Sequence, residues 1–296
     1  MSVAVLIGVH DGVVLAADSA STLSIPPPPG VAISPGAPGV IANVYDNANK
    51  IFNIVKGQPI GCITFGSGNI GNASIGTLIK DLRKKLTDTP EELGFDAKAY
   101  TMEQVATILA KFLDTECANL DPRDRNNTNV GFLLGGYSKP GDLGESWSVE
   151  IIKGVAQPPK SLRAPEQAGI NWGGQTESLQ RMMLGFSPGI FEVLSQVSQP
   201  PQTSTQMAQQ LSPLLSSRLQ AAMVFAPMPI QDAIDLARFL VHTAIMFSRF
   251  LPGPNVVGGP IEIAAITKHE NFKWISRKHY YDNPLNKEPI HVVVDR

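Results

Sequence analysis

Two apolar runs open the chain, residues 3–9 and 13–17, separated by His10-Asp11-Gly12. Both runs are rich in β-branched residues and apolar at successive positions. Between them stands turn chemistry, so a β-hairpin covered on both faces is predicted. The pattern recurs at residues 50–55 and 60–65, around Lys56-Gly57-Gln58-Pro59. The period then lengthens. Ile75, Leu78, Ile79, Leu82 and Leu86 share one face of a helix over about residues 72–86. Thr101 and Gln104 make a capping box ahead of Val105, Ile108, Leu109, Phe112 and Leu113. Strands follow at 130–137 and 147–153, then helical segments across about 176–219, broken at Pro188 and Pro200-Pro201. A helix over 230–250 leads to strands at 261–267 and 272–276, with 290–294 as an edge strand or docking tail.

This order of strands, paired helices, strands, helices and strands predicts an α+β fold. Two antiparallel sheets should pack together with helical layers outside. Residues 1–296 show no internal repeat and no clean linker, so one domain is expected, with a C-terminal tail at 283–296. Residues 24–39, SIPPPPGVAISPGAPG, suit neither a helix nor a central strand. They read as an inserted excursion, a lid or an assembly contact.

Composition narrows the function classes. The chain has 43% apolar and 17% charged residues, and its 24 bases against 26 acids leave a net charge of −2. The charged share lies below the roughly 25% usual for soluble domains, which argues against disorder. A polyanion-binding surface would need a basic excess, so nucleic acid is not an expected partner. No uninterrupted apolar run reaches the roughly 18 residues of a membrane span. Residues 1–17 have no basic start and are interrupted at Asp11-Gly12, so a cytoplasmic chain is expected. Cys62 and Cys117 stand among apolar neighbours and read as buried thiols. The five histidines lack metal-ligand spacing, so neither a metal nor another cofactor is expected. Lys80, Arg83, Lys84 and Lys85 read as a solvated helix face complementing the helix dipole.

Hairpin arithmetic gathers the candidate chemistry. With the first turn at His10-Asp11 or Asp11-Gly12, paired positions sum to 21 or 23, and Ser2 falls within a step or two of Asp18. A four-residue second turn pairs Lys50 with Phe65, beside Gly66. If the hairpins are neighbours, Ser2, Asp18, Lys50 and Gly66 converge on one sheet rim. Removal of Met1 would give Ser2 a free α-amine with a pKa of about 7.7–8.0, placing hydroxyl nucleophile and base on one residue. Lys50 would lower the hydroxyl's proton affinity, Asp18 would hold Lys50, and the Gly66 amide would face an oxyanion. Spacing alone leaves open a β-hairpin protein whose second residue happens to be serine. Gly66-Ser67-Gly68-Asn69-Ile70-Gly71 also fits a dinucleotide fingerprint, but it follows a hairpin rather than opening a βαβ unit. Close backbone approach explains its glycines better. Residues 171–185, NWGGQTESLQRMMLG, read as a turn and helix cap.

The stretches GVHDGVVLAADS, NANKIFNI and IGCITFGSGNIG, and more weakly VGFLLGGY at 130–137, resemble proteasome β-subunits and their bacterial proteasome-like relatives, which are N-terminal nucleophile hydrolases. The resemblance is strongest over 2–86. It implies a four-layer αββα sandwich, with the nucleophile at Ser2, the aspartate at Asp18, the lysine at Lys50 and the oxyanion glycine at Gly66. Ser2 stands where the family carries threonine. Gly173-Gly174, and Asn255 with Gly258-Gly259, stand where the family carries supporting serine and aspartate side chains. The implied activity is cleavage of peptide bonds in peptides or unfolded proteins. The small residues Ser21, Thr64 and Gly68 would line a roomy first pocket. The resemblance further implies a homo-oligomer, a ring or helical stack, and it specifies no ATPase partner. A non-catalytic assembly subunit and an amidase for small molecules are the alternatives.

Overall fold

The computed structural model describes residues 2–25, 40–198 and 202–279. Residues 26–39 of the Pro-rich insertion, Pro200-Pro201 and the predicted 290–294 strand and tail lie outside the described residues.

The chain begins with β1 (Val3–Val9) and β2 (Gly12–Ala17), then β3 (Ser21–Ile25), β4 (Val40–Tyr45), β5 (Ile51–Asn53) and β6 (Ile60–Gly66). A short hairpin, β7 (Asn69–Ile70) and β8 (Ala73–Ser74), precedes α1 (Ile75–Asp88), α2 (Met102–Ala118) and α3 (Pro122–Asn127). After β9 (Val130–Gly136) come β10 (Glu145–Ile152), β11 (Val155–Ala156), β12 (Lys160–Ser161) and β13 (Gly169–Gly174). Four helices, α4 (Glu177–Leu184), α5 (Ile190–Val197), α6 (Ser204–Leu219) and α7 (Ile230–Phe250), lead to β14 (Glu262–Thr267) and β15 (Asn271–Ser276).

The strands build two main antiparallel sheets. One runs β13-β1-β2-β14-β15, and the other runs β11-β10-β9-β6-β5 with β12 also on β10. The first hairpin closes on His10-Asp11, with Val9 opposite Gly12 and Ala4 opposite Ala17. Every residue of β1 and β2 is buried, and the strand period explains how. Val3, Val5, Ile7, Val14 and Ala16 pack with Leu179 of α4 and Ala237, Leu240 and Val241 of α7. Ala4, Leu6, Val13, Leu15 and Ala17 instead meet Ile51, Ile63 and Leu133 of the other sheet. That sheet turns Cys62, Phe132 and Leu134 the other way, onto Ile79 and Leu82 of α1 and Leu109 and Leu113 of α2. Both cysteines are fully buried, and burial raises their thiol pKa values, as suits inert core groups.

The capping box predicted for α2 is present, with Thr101 Oγ1 accepting from Gln104 N–H and Gln104 Oε1 from Thr101 N–H. Other expectations need correction. Helix α1 starts at Ile75 rather than near 72, because Ser74 caps it and the small β7–β8 hairpin uses the preceding residues. The excursion at 24–39 has strand at both ends: β3 and β4 pair with each other, with Leu23 and Tyr45 exposed. The second hairpin has a longer connection than predicted. Ile54 N–H donates to Ile60 C=O at 3.3 Å and Gln58 N–H to Val55 C=O at 3.2 Å. Pairing therefore slips by one residue, Ile51 stands opposite Ile63, and Lys50 opposes Thr64 rather than Phe65. Residues 169–174 are a strand, not a turn. The open edge of β1 supplies the pairing that the glycine-rich sequence does not announce.

The sheet-to-sheet cluster should be the least forgiving part of the core. Leu15→Ala, at a fully buried position within it, is expected to cost about 2–5 kcal/mol. Urea denaturation should show a lowered midpoint at unchanged slope, and an unaltered midpoint would show that the sheets do not depend on this contact.

Candidate functional site

Asp18 stands one residue beyond β2 and is fully buried. Its Oδ1 accepts Val3 N–H at 2.9 Å, and its Oδ2 accepts Ala20 N–H and Gly258 N–H, each at 3.1 Å. Lys50, immediately before β5, donates from Nζ to Asp18 Oδ1 at 2.5 Å. Lys50 is 4% exposed, so both members of this pair are out of water. The pair joins the two sheets. The expectation of a single sheet rim is thus corrected: Ser2 and Asp18 belong to one sheet, Lys50 and Gly66 to the other. Stacking, rather than edge-to-edge pairing, brings the hairpins together.

Burial pushes the Lys50 ammonium below the ordinary lysine pKa, against the pull of Asp18, and the nearby Lys278 pushes it the same way. Ser2 precedes β1 and is largely buried. Its backbone is tied down by Gln175 N–H, which donates to Ser2 C=O at 2.6 Å. Gly66 ends β6 with φ at +92°, a left-handed conformation that favours glycine, and a Cβ there would run into Asn129 C=O. Gly173, next to the cleft, has no room for a Cβ beside the Phe65 ring.

A cleft of about 670 Å³ opens over these residues. Ser2, Lys50 and Gly66 line it together with the predicted pocket residues Ser21, Thr64 and Gly68, while Asp18 lies behind Lys50. The sequence reading missed its polar far side, where Thr22, Asn69, Asn127 and Asn129 face the space. Nor does the sequence announce Gly258 as a backbone donor to Asp18. The glycine-rich stretch 66–71 runs from β6 into the β7–β8 hairpin. Because β6 is antiparallel to both of its neighbours, no βαβ unit forms.

A second polar group backs the first. Lys278 Nζ lies 2.9 Å from Glu262 Oε2 and donates to Ser19 Oγ at 2.7 Å, while Ser19 Oγ donates to Pro260 C=O at 2.6 Å. Glu262 is 1% exposed, so its pairing with Lys278 replaces lost hydration. Of the basic run on α1, Lys85 sits over the Phe112 ring and Lys84 is exposed, whereas Lys80 and Arg83 line a separate cavity. The solvated-face reading therefore holds for the exposed Lys80, Lys84 and Lys85 and fails for Arg83, which is half-buried. Among the described residues, no cluster of three or more His, Cys, Asp or Glu side chains has metal-site geometry, and no helix is long and apolar enough to cross a membrane.

No protein-family model matches the chain, and neither does any curated protein. Solved structures do. Anbu (ancestral beta-subunit) from Yersinia bercovieri aligns with a TM-score of 0.52 at 13% identity, over 94% of this chain and 88% of that one. The Gly-1 mutant of Anbu from Hyphomicrobium sp. strain MC1 aligns at 0.51 and 14%, over 95% and 90%. The likeness is one of fold. It covers 94–95% of the chain, far more than residues 2–86, which carry the strongest motif resemblance.

The buried pair sets a quantitative expectation. Lys50→Met should cost about 3–5 kcal/mol, because it leaves the Asp18 carboxylate buried without its cation. The double variant Asp18→Asn/Lys50→Met should be less destabilised than the sum of the single changes by about 0.5–3 kcal/mol. Additive costs in a denaturation cycle would show that the two groups act independently.

Proposed function

We propose that the chain is a proteasome-like N-terminal nucleophile hydrolase that cleaves peptide bonds through Ser2 once Met1 is removed. The observation that carries the reading is the convergence of Ser2, Lys50 and Gly66 on one cleft, with Asp18 holding Lys50 from behind. The Anbu-like fold supports it. On this reading the two sheets and the helices on their outer faces form one domain, a four-layer αββα sandwich. Homo-oligomerisation fits the low charged share of the chain, 17%.

The chemistry follows from the groups present. The free α-amine of Ser2 takes the proton from Oγ as Oγ attacks the substrate carbonyl carbon. The Lys50 ammonium favours the developing alkoxide, and the Gly66 amide donates to the oxyanion, a contribution of about 2.7–4 kcal/mol in comparable sites. Collapse of the tetrahedral adduct breaks the C–N bond, and the α-ammonium passes its proton to the leaving amine. An ester on Ser2 remains. Water then attacks that ester, giving its proton to the α-amine, and the acid product leaves as Ser2 Oγ is reprotonated. The polar far side of the cleft, with Thr22, Asn69, Asn127 and Asn129, suits a substrate backbone or a polar side chain.

A second reading, an assembly subunit without catalysis, is favoured by one feature. The positions where the family carries supporting side chains hold Gly173-Gly174 and Gly258-Gly259, and Gly258 reaches Asp18 through its backbone alone.

Mass spectrometry of protein from cells decides between the two readings. Catalysis requires loss of Met1, labelling of Ser2 by a hydroxyl-directed electrophile, and peptidase activity that Ser2→Ala lowers by about 10²–10⁴-fold or more. A retained Met1 with an unlabelled Ser2 would leave only the assembly role. The active enzyme should also show a bell-shaped pH profile. Activity rises as the α-amine loses its proton near its reference pKa of about 7.7–8.0. It falls again as Lys50 loses its charge, and burial places that limb below the ordinary lysine value of 10.5. Persistence of the alkaline limb in Lys50→Arg at the same pH would assign it to another group.

A further inference from the structure

Beside the cleft lies a second cavity of about 440 Å³, where the edge strands β5 and β15 meet α1. Lys80 and Arg83 reach it from α1, Arg277 and Lys278 from the end of β15, and Trp274 forms part of its wall. Glu262 also lines it, but Glu262 is already paired with Lys278 at 2.9 Å. Among the described residues, no carboxylate lies within ion-pair distance of Lys80, Arg83 or Arg277. Arg83 makes one long hydrogen bond, 3.5 Å to Asn53 C=O, and Arg277 rests over the Trp274 ring at 5.0 Å. Burial first, and then repulsion by Arg277, lowers the pKa of Arg83. Arg83 and Arg277 thus bring like charges to one cavity in a chain with 26 acids for 24 bases. Once Glu262 is set against Lys278, no carboxylate among the described residues balances the positive charges of Lys80, Arg83 and Arg277 around this space.

We propose that this cavity binds a small phosphate-bearing molecule. A phosphate group carries about two negative charges and presents three acceptor oxygens. It can therefore engage two forked guanidiniums and an ammonium together. A single carboxylate offers one charge and two oxygens, and would leave two of the three positive charges unmatched, where a phosphate with about two charges leaves one. The volume falls within the roughly 300–1,000 Å³ of small-molecule sites, so an organic portion fits beside the phosphate against the Trp274 wall. A nucleic-acid strand is a poorer match, because a chain of net charge −2 lacks the basic excess such a partner needs. The site does not use Ser2, and its occupancy is independent of whether the chain hydrolyses peptides.

Calorimetric titration of the full chain with inorganic phosphate and with pyrophosphate, at constant ionic strength, tests the assignment. Saturable binding at one site is expected, pyrophosphate being the tighter, with a melting temperature that rises with ligand concentration. Arg83→Gln/Arg277→Gln should weaken binding about tenfold or more, whereas Ser2→Ala should bind as the wild type does. Should the double arginine variant fold poorly, Lys80→Gln at an exposed position should still weaken binding several-fold. Absence of saturable binding into the millimolar range, or equal binding by the variants and the wild type, would overturn the proposal.

Discussion

The structure depends on one buried carboxylate. Asp18 accepts three backbone N–H groups, from Val3, Ala20 and Gly258, and a fourth hydrogen bond from Lys50. Those donors come from the start of β1, the turn after β2, the approach to β14 and the start of β5. The same two oxygens therefore fix the N-terminus, close one sheet across its middle strands and couple it to the second sheet. Removing the carboxylate would orphan several buried donors at once, each with its own desolvation cost. An apolar substitute of equal volume could fill the space without answering those amides. The ion pair matters less as a source of stability than as a device that admits one arrangement of the sheets. That distinction follows from the cost of desolvating both charges, which consumes much of their attraction.

Legibility in the sequence followed distance along the chain. The first hairpin was readable because its turn and both apolar runs are contiguous, and pairing set by His10-Asp11 already places Ser2 near Asp18. The alternation between Val3, Val5 and Ile7 on one face and Ala4 and Leu6 on the other was hidden, since both faces are apolar. The second hairpin was read one residue out of register, because Ile54 and Val55 look like strand but bend into the connection. Lys50 still reached the site, since its cleft depends on the start of β5 rather than on its cross-strand partner. Strand β13 was illegible for a different reason. GINWGG carries only Ile170 and Trp172 as strand formers among three glycines and an asparagine, and it is extended because β1 offers it an edge. Likewise, Gly258 and Lys278 act on residues 240 and 259 positions away, and only the placement of β14 beside β2 makes them neighbours.

Glycine does at this site what side chains do elsewhere. Gly66 supplies a left-handed turn where β6 leaves the sheet, and Gly173 yields its side-chain volume to the Phe65 ring. The consequence is tight packing of backbone and ring at both positions, set by the sheets rather than by rotamers. That packing is intolerant: a Cβ at Gly66 or Gly173 would have to displace neighbouring backbone or an aromatic ring.

The two cavities are not electrically separate. Asn49 lines both, and Lys278 at the second one donates to Ser19, the residue after Asp18. At Lys50 the charge of Lys278 favours loss of the proton, while Glu262 favours its retention. In a medium less polarisable than water these terms act over more than one contact. Any change in the balance between Lys278 and Glu262 is therefore felt at Lys50, without movement of either sheet. The Asp18–Lys50 pair crosses between the sheets and so couples them by charge as well as by packing. The net charge of −2, which averages over the whole chain, conceals an interior where cations and anions are arranged one by one.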